Sequence, residues 1–271
     1  MTSNLLRQPK SRYSEWEGPD LDREEEKRAA ELTLSILDDL DAVYTRSKLT
    51  DAPLHWIRDL GTISGDMRRF LLNSLGVGEV RISLHGGQAV ATETKIAGLW
   101  RLQIGPQESL VAALLPRCVD VLLDHGLESI PIPDHKPEGL FVALPLLTEI
   151  EDNLKHTDLS RLDGEPGKQI DMVRQPMSPA DKTFILTTLG EGPISIELMG
   201  FADSRIFSTK VKGVWRTVIL SPSGKTLLHS LTVARIPPEV PASPDDLDDA
   251  TAKIAEIREW ISHDLERGAL G

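Results

Sequence analysis

One cysteine, Cys118, is all that the 271-residue sequence holds. No intrachain disulfide can therefore form, and no cysteine cluster can hold zinc or an iron–sulfur centre, as expected in a reducing compartment. Aromatic residues make up 4% of the chain, so its five tryptophans stand out. Long apolar runs are missing too. The longest, Leu110 to Leu115, falls far short of the ~20 residues needed to cross a bilayer, and the opening MTSNLLRQPKSRYSEWEGPD lacks the apolar core of a secretory signal. The expected location is cytoplasmic, with no membrane span. Nor is there a basic run with interleaved aromatics. A net charge of -12 would repel phosphate-rich partners, so no nucleic acid is expected. With 40% hydrophobic and 27% charged residues, the composition is that of a soluble globular protein with a normal core.

Catalytic patterns are equally scarce. Seven histidines form no HxxxH or HExxH pair that would put two imidazoles on one helical face. Asp124-His125 and Asp134-His135 flank a proline-rich loop and read as exposed loop residues. The alternative is that His125, His135 and Cys118 converge around a metal, in a metal or cluster carrier or a metal-dependent enzyme. Cys118, in LPRCVDVLL, reads as a small core hydrophobe. The GKT at Gly224–Thr226 lacks the first glycine of a phosphate loop and lies between strands, so it reads as a hairpin turn. No cofactor is expected.

What the sequence does contain is a repeat. SLGVGEVRISLHG (Ser74–Gly86) returns 114 residues later as TLGEGPISIELMG (Thr188–Gly200). Ser64–Gly86 and Ser178–Gly200 share nine identities in 23 positions, and ETKIAGLWR (Glu93–Arg101) meets STKVKGVWR (Ser208–Arg216) with five in nine. A unit near 115 residues exceeds the solenoid range. Two related units are the simpler reading.

Each unit opens with a helix. Ser178, Pro179 and Asp181 supply an N-cap, a first-turn proline and an approximate capping box; Phe184, Ile185 and Leu189 the apolar face; Gly190 the end. Alternation follows, Val80/Ile82/Leu84 in one copy and Ile194/Ile196/Leu198 in the other, as in half-buried strands. Two further strands lead through TKIAG or TKVKG to Trp100 and Trp215. KTLLHSLTVARIP supplies the fourth strand, and by analogy so does ESLVAALLP, although its Ala and Leu favour helix. The closing helices are Arg117–Asp124 and a long one from Ser243. Asp20–Tyr44 adds an amphipathic N-terminal helix, and Pro145 should break or begin another within Glu138–His156.

The expected fold class is α+β: a tandem duplication of a helix, a four-stranded antiparallel meander and a helix, with an extra N-terminal helix. The expected organisation is a disordered tail over 1–19, a first repeat domain over 20–156, a linker over 157–177 and a second repeat domain over 178–271. Trp100 and Trp215 are expected chiefly as equivalent core anchors, and secondarily as partner contacts.

The duplicated LGxG…GxWR units, the segment GLFVALPLLTEI (Gly139–Ile150) and IPPEVPASPDDLDDATAKIAEIREWI (Ile236–Ile261) together resemble the HupH/HyaF hydrogenase expression and formation proteins, over roughly Ser64 to Ile261. The resemblance implies a cytoplasmic, non-enzymatic chaperone or assembly factor for nickel–iron uptake hydrogenases. It would attend the iron–sulfur small subunit precursor before export, with a thioredoxin-like hydrogenase accessory protein as companion. Some members carry Gly-Tyr-Gly-x-Cys after the strand where this chain reads GFADSR, with Ser204 in the cysteine position. No thiol role carries over there. Gly200, Phe201 and Arg205 remain as candidate partner contacts on a hairpin, since aromatics and arginines are favoured anchors.

Overall fold

Ser178 caps its helix as the sequence indicates. Its hydroxyl accepts from the Asp181 N–H at 3.0 Å, and the Asp181 carboxylate accepts from the Ser178 N–H at 2.9 Å. The helix runs Pro179–Leu189 and stops at Gly190, whose φ of +62° suits glycine. In the computed structural model, which describes residues 21–200 and 202–267, this helix is α5 of six; the tail expected over 1–19 lies outside the described residues.

The elements are α1 (Arg23–Thr50), β1 (Trp56–Asp59), α2 (Gly65–Leu75), β2 (Val80–Leu84), β3 (Ala89–Glu93), β4 (Leu99–Ile104), β5 (Gln107–Ala112) and α3 (Arg117–Leu123). They continue with α4 (Ala143–His156), β6 (Ile170–Asp171), α5, β7 (Ile194–Leu198), β8 (Asp203–Ser208), β9 (Val214–Leu220), β10 (Thr226–Val233) and α6 (Pro244–Arg267). ESLVAALLP forms a strand, against its propensity, only over its first five residues, ending at Ala112, where β5 pairs with both β4 and β1 and buries Leu110, Val111 and Ala112; Ala113–Pro116 lie beyond it. Pro145 sits in the first turn of α4, where it removes no helical hydrogen bond. α1 continues six residues beyond Tyr44, through TRSKLT, a polar stretch free of Gly and Pro that the apolar stripe did not reveal.

The fold is α+β, with one antiparallel sheet in the order β1-β5-β4-β3-β2-β7-β8-β9-β10-β6. The seam is β2 against β7, where Ile82 lies opposite Ile196, the residue 114 positions later in the repeat. Read outward from that seam, the strands run in the same order on both sides, and the whole forms a single ten-stranded sheet.

One face of the sheet buries Val80, Ile82, Trp100, Ile194, Ile196, Ile206 and Trp215 under α3 and the segment reaching Val240. On the opposite face, α1, α2 and α6 lie over Leu99, Leu110 and Ala112, while α4 and α5 lie over Val214, Leu231 and Val233. Packing thus crosses the expected unit boundary twice. α4 belongs with α5 of the second half. α6 packs its Ala250, Ile254, Ile257 and Ile261 against α1 at the far end of the sheet, tied by Arg258 to Asp38 (3.3 Å) and Asp41 (3.4 Å). The expected linker stretch 157–177 contributes β6, which pairs with β10 and buries Ile170, followed by buried Met172.

Candidate partner surface

Between the two helical layers, the sheet face of β3, β2, β7 and β8 carries Val90, Thr92, Arg81, Ser83, Ser195, Glu197, Arg205 and Phe207, none of them buried. Cross-strand pairing places Arg81 beside Glu197 and Glu197 beside Arg205, a favourable alternation of charge. Pro193 and Ile194 to Leu198 feed the hairpin that holds the sequence-expected contacts. Gly200 is exposed, and a Cβ there would meet open space. Arg205 lies on β8 and grips Asp203 through two bonds of 2.9 and 3.1 Å while remaining 47% exposed. Phe201 lies outside the described residues.

Trp100 and Trp215 do not share that surface. Both are buried, at 0% and 2% exposure, and each indole N–H donates to a backbone carbonyl, Ala113 at 2.9 Å and Ala234 at 3.0 Å. Their place is on the opposite, covered face. The repeated WR pair therefore splits by strand alternation, the tryptophan inward and the arginine towards the other face.

That other face is charged at both ends. In the first half, Glu108 on β5 meets Arg101 of β4 through its Oε1 and Arg68 of α2 through its Oε2 at 3.3 Å; Gln103 donates to it at 3.4 Å. In the second half, Arg216 of β9 lies over the Phe207 ring with its Cζ 4.8 Å from the centroid. His229 of β10 is half-buried. Burial, followed by the charges of Arg216 and Lys182, holds its pKa below the ordinary value, with Asp171 acting in the opposite sense. Sequence reasoning missed this group. The repeat aligned Arg101 with Arg216 but ended there, seven residues before Glu108.

At the α6 start, Glu79, Glu93, Glu239 and Asp246 line a groove with Lys95 and Lys253. Burial drives the Glu93 pKa up to about 7; the Gly98 N–H at 3.1 Å opposes this, and Asp246 and Glu79 add to it.

The metal alternative finds no geometric support. Among the described residues no group of three or more His, Cys, Asp or Glu side chains is placed to hold a metal ion. His125 turns its Nδ1 to the Val121 carbonyl at 2.8 Å, His135 is exposed, and Cys118 packs against the central core, where burial pushes its thiol pKa up. Also among the described residues, no helix is long and apolar enough to cross a membrane.

These features define an α+β protein with charged groups along a sheet face and in the groove at the α6 start. Residues 140–261 match the family model described as the HupH hydrogenase expression protein, C-terminal conserved region. The chain is 33% identical over 200 residues to the hydrogenase expression/formation protein HoxQ of Azotobacter vinelandii, covering 71% of this chain and 70% of that protein. It is 29% identical over 215 residues to the hydrogenase-1 operon protein HyaF of Escherichia coli, covering 75% and 73%. A solved structure, the hydrogenase expression protein HupH from Thiobacillus denitrificans, matches at 30% identity over 42% of this chain and 92% of that one, with a TM-score of 0.37. The chain belongs to the HupH/HyaF/HoxQ family of hydrogenase expression and formation proteins.

Proposed function

We propose that this protein is a non-enzymatic accessory factor of nickel–iron uptake hydrogenase maturation. It acts in the cytoplasm by holding the iron–sulfur small subunit precursor before export, alongside a thioredoxin-like hydrogenase accessory protein. The relatives' names, hydrogenase expression/formation protein and hydrogenase-1 operon protein, support the process. The observation that carries the mode of action is the uncovered, charged middle of the sheet, bounded by helices on both sides and edged by Gly200 and Arg205. Such a face suits contact with another protein better than enclosure of a small substrate.

The architecture belongs to the same proposal. A tandem duplication accounts for the Ile82–Ile196 seam, the two indole-to-carbonyl bonds and the mirrored strand order in one step. It joins two related units edge to edge and so widens the surface offered to one extended client.

The test is a tagged pull-down from hydrogenase-expressing cells, with metal analysis of the same eluate. Recovery of the unprocessed small subunit on a metal-free bait is the expected result, with the yield cut at least tenfold by Arg205→Glu. Absence of that subunit, with stoichiometric metal on the bait, would overturn the proposal.

A further inference from the structure

The helix-covered face of the sheet is charged differently at its two ends, position for position. Arg101 pairs with Leu110 across β4 and β5, and Arg216 pairs with Leu231 across β9 and β10. Two residues before those leucines stand Glu108 in the first half and His229 in the second. On the helices above, Arg68 of α2 corresponds to Lys182 of α5, 114 residues on. The three positions thus read Arg, Glu, Arg at one end and Lys, His, Arg at the other. The first set is closed by its own carboxylate, which both arginines contact.

The second set has no such closure. Nε of Arg216 and Nε2 of His229 are buried without a hydrogen-bond partner, and among the described residues no carboxylate pairs with Arg216 or Lys182. Buried polar atoms in folded proteins are almost always satisfied, so an unfilled guanidinium N–H beside an unfilled imidazole nitrogen, which donates in its Nε2–H tautomer, marks a place where something is received. Asp171, the acid that acts on His229, is already engaged by Arg174 at 3.3 Å and by the Val173 N–H at 2.8 Å. Stacking on Phe207 fixes the Arg216 guanidinium, and a cavity of about 170 Å³ lies beside it. Glu191, exposed, also lines that cavity and opposes an anion. Arg216 is the cation in its wall, while Lys182 and His229 lie outside that lining and are linked to Arg216 through the charges that Arg216 and Lys182 exert on His229.

We propose that Lys182, His229 and Arg216 receive one carboxylate from outside the fold, an Asp or Glu side chain of a bound protein segment, in the position that Glu108 fills internally at the other end. The internal counterpart specifies the chemistry, since a carboxylate is what completes this geometry where the chain supplies it. Selectivity follows from the rest of the molecule. With a net charge of -12, most of the surface repels an acidic segment, and a local cationic site fixes where it can settle. A charge-assisted bond to a stacked arginine is of the stronger kind.

The experiment is an NMR titration of the full chain, following the Arg216 Nε–Hε resonance. The probes are an acetylated, amidated tetraglutamate peptide, its tetraglutamine counterpart and inorganic phosphate. Tetraglutamate is expected to move the resonance saturably, tetraglutamine not at all, and Lys182→Ala to weaken the effect about tenfold. His229→Glu, which supplies the missing carboxylate, should abolish the shift and raise Tm by about 2–4 °C. Equal shifts with both peptides would overturn the proposal, as would a shift with phosphate but not tetraglutamate, or unchanged peptide binding in His229→Glu. Should His229→Glu fail to fold, Lys182→Ala decides, and unchanged affinity there sinks the idea. No hydrogenase component enters the titration, so its failure is separable from failure of the maturation role.

Discussion

Set side by side, the two halves of the sheet agree on one face and part on the other. On the tryptophan face the agreement extends to single bonds. Each indole reaches a carbonyl 13 or 19 residues on, each Thr of the TK turn (Thr94 and Thr209) bonds the backbone two residues ahead, and the second glycine of each LGxG motif, Gly78 or Gly192, abuts that threonine's carbonyl. A Cβ at Gly78 would lie 2.3 Å from Thr94 O, and one at Gly192 would lie 2.4 Å from Thr209 O. On the opposite face a closed Arg–Glu–Arg group stands against an open Lys–His–Arg group. Close packing fixes the covered face, since any change there leaves a void or a clash. The helix-covered face keeps its apolar positions (Leu99 and Val214, Leu110 and Leu231) and diverges at its charged ones, which depend on pairing and not on shape alone.

The sharpest way to break this comparison is at the tryptophans. Trp100→Ala and Trp215→Ala should each cost ~3–5 kcal/mol, from a large buried cavity and an orphaned carbonyl. Near-equal losses are expected in urea unfolding. A truncation that left Tm unchanged while client recovery collapsed would make that tryptophan a contact instead of a core residue.

Next in size is Asp181, which has no counterpart in the first half, where the aligned residue is Met67. It is fully buried, and its Oδ1 accepts the N–H groups of Phe141, Val142 and Ala143 at 2.9, 3.0 and 2.9 Å, so it satisfies the start of α4 from α5. Its Oδ2 takes both donors of Ser178. Burial alone would raise its pKa; the bonds from Ser178, Ala143 and Val142 outweigh that and hold it well below the usual range. A depressed carboxylate stabilises the fold above its unfolded pKa and loses that stabilisation as pH falls. Asp181→Ala should cost about 3–5 kcal/mol at pH 7 by leaving buried N–H groups unpaired. Met67→Ala, at the aligned position, should cost less. A loss under about 1 kcal/mol for Asp181→Ala would show that α4 is held by apolar packing alone.

How much of this was legible in the sequence divides along similar lines. Local signals sufficed where local chemistry decides. Ser178 with Asp181, and Ser243 with Asp246, mark helix starts that the structure caps with those same side chains. The strand at ESLVAALLP was found because the repeat outranked Ala and Leu propensity. β1 and β6, four and two residues long, carry no readable pattern, because the strands they pair with create them. The passage of α6 to α1 depends on matching two apolar stripes more than 200 residues apart, and neither stripe names its partner. Of the candidate contact residues, Trp100 and Trp215 lie in the core, the place that their repetition in both units favours. His229 and Lys182 stayed hidden because their meaning comes only from their first-half counterparts.

The smallest effect tests the groove. Glu93 aligns with Ser208, which answers the same place with a neutral hydroxyl bonded to the N–H and carbonyl of Ile194. Glu93 keeps a carboxyl there, and burial raises its pKa from 4.5 to about 7. The folded state therefore holds this proton more tightly than the unfolded chain does. The protonated form is accommodated below about pH 4.5, and stability falls as pH rises from there to about 7. Glu93→Gln cannot ionise and still offers Gly98 an acceptor. The variant should match the parent at pH 4 and exceed it at pH 8 by about 2 kcal/mol, a Tm gain of about 4–8 °C. An equal gap at both pH values would mean that shape, and not the buried charge, sets the difference. No gap at pH 8 would mean that the groove admits enough water to leave Glu93 as solvated as Ser208.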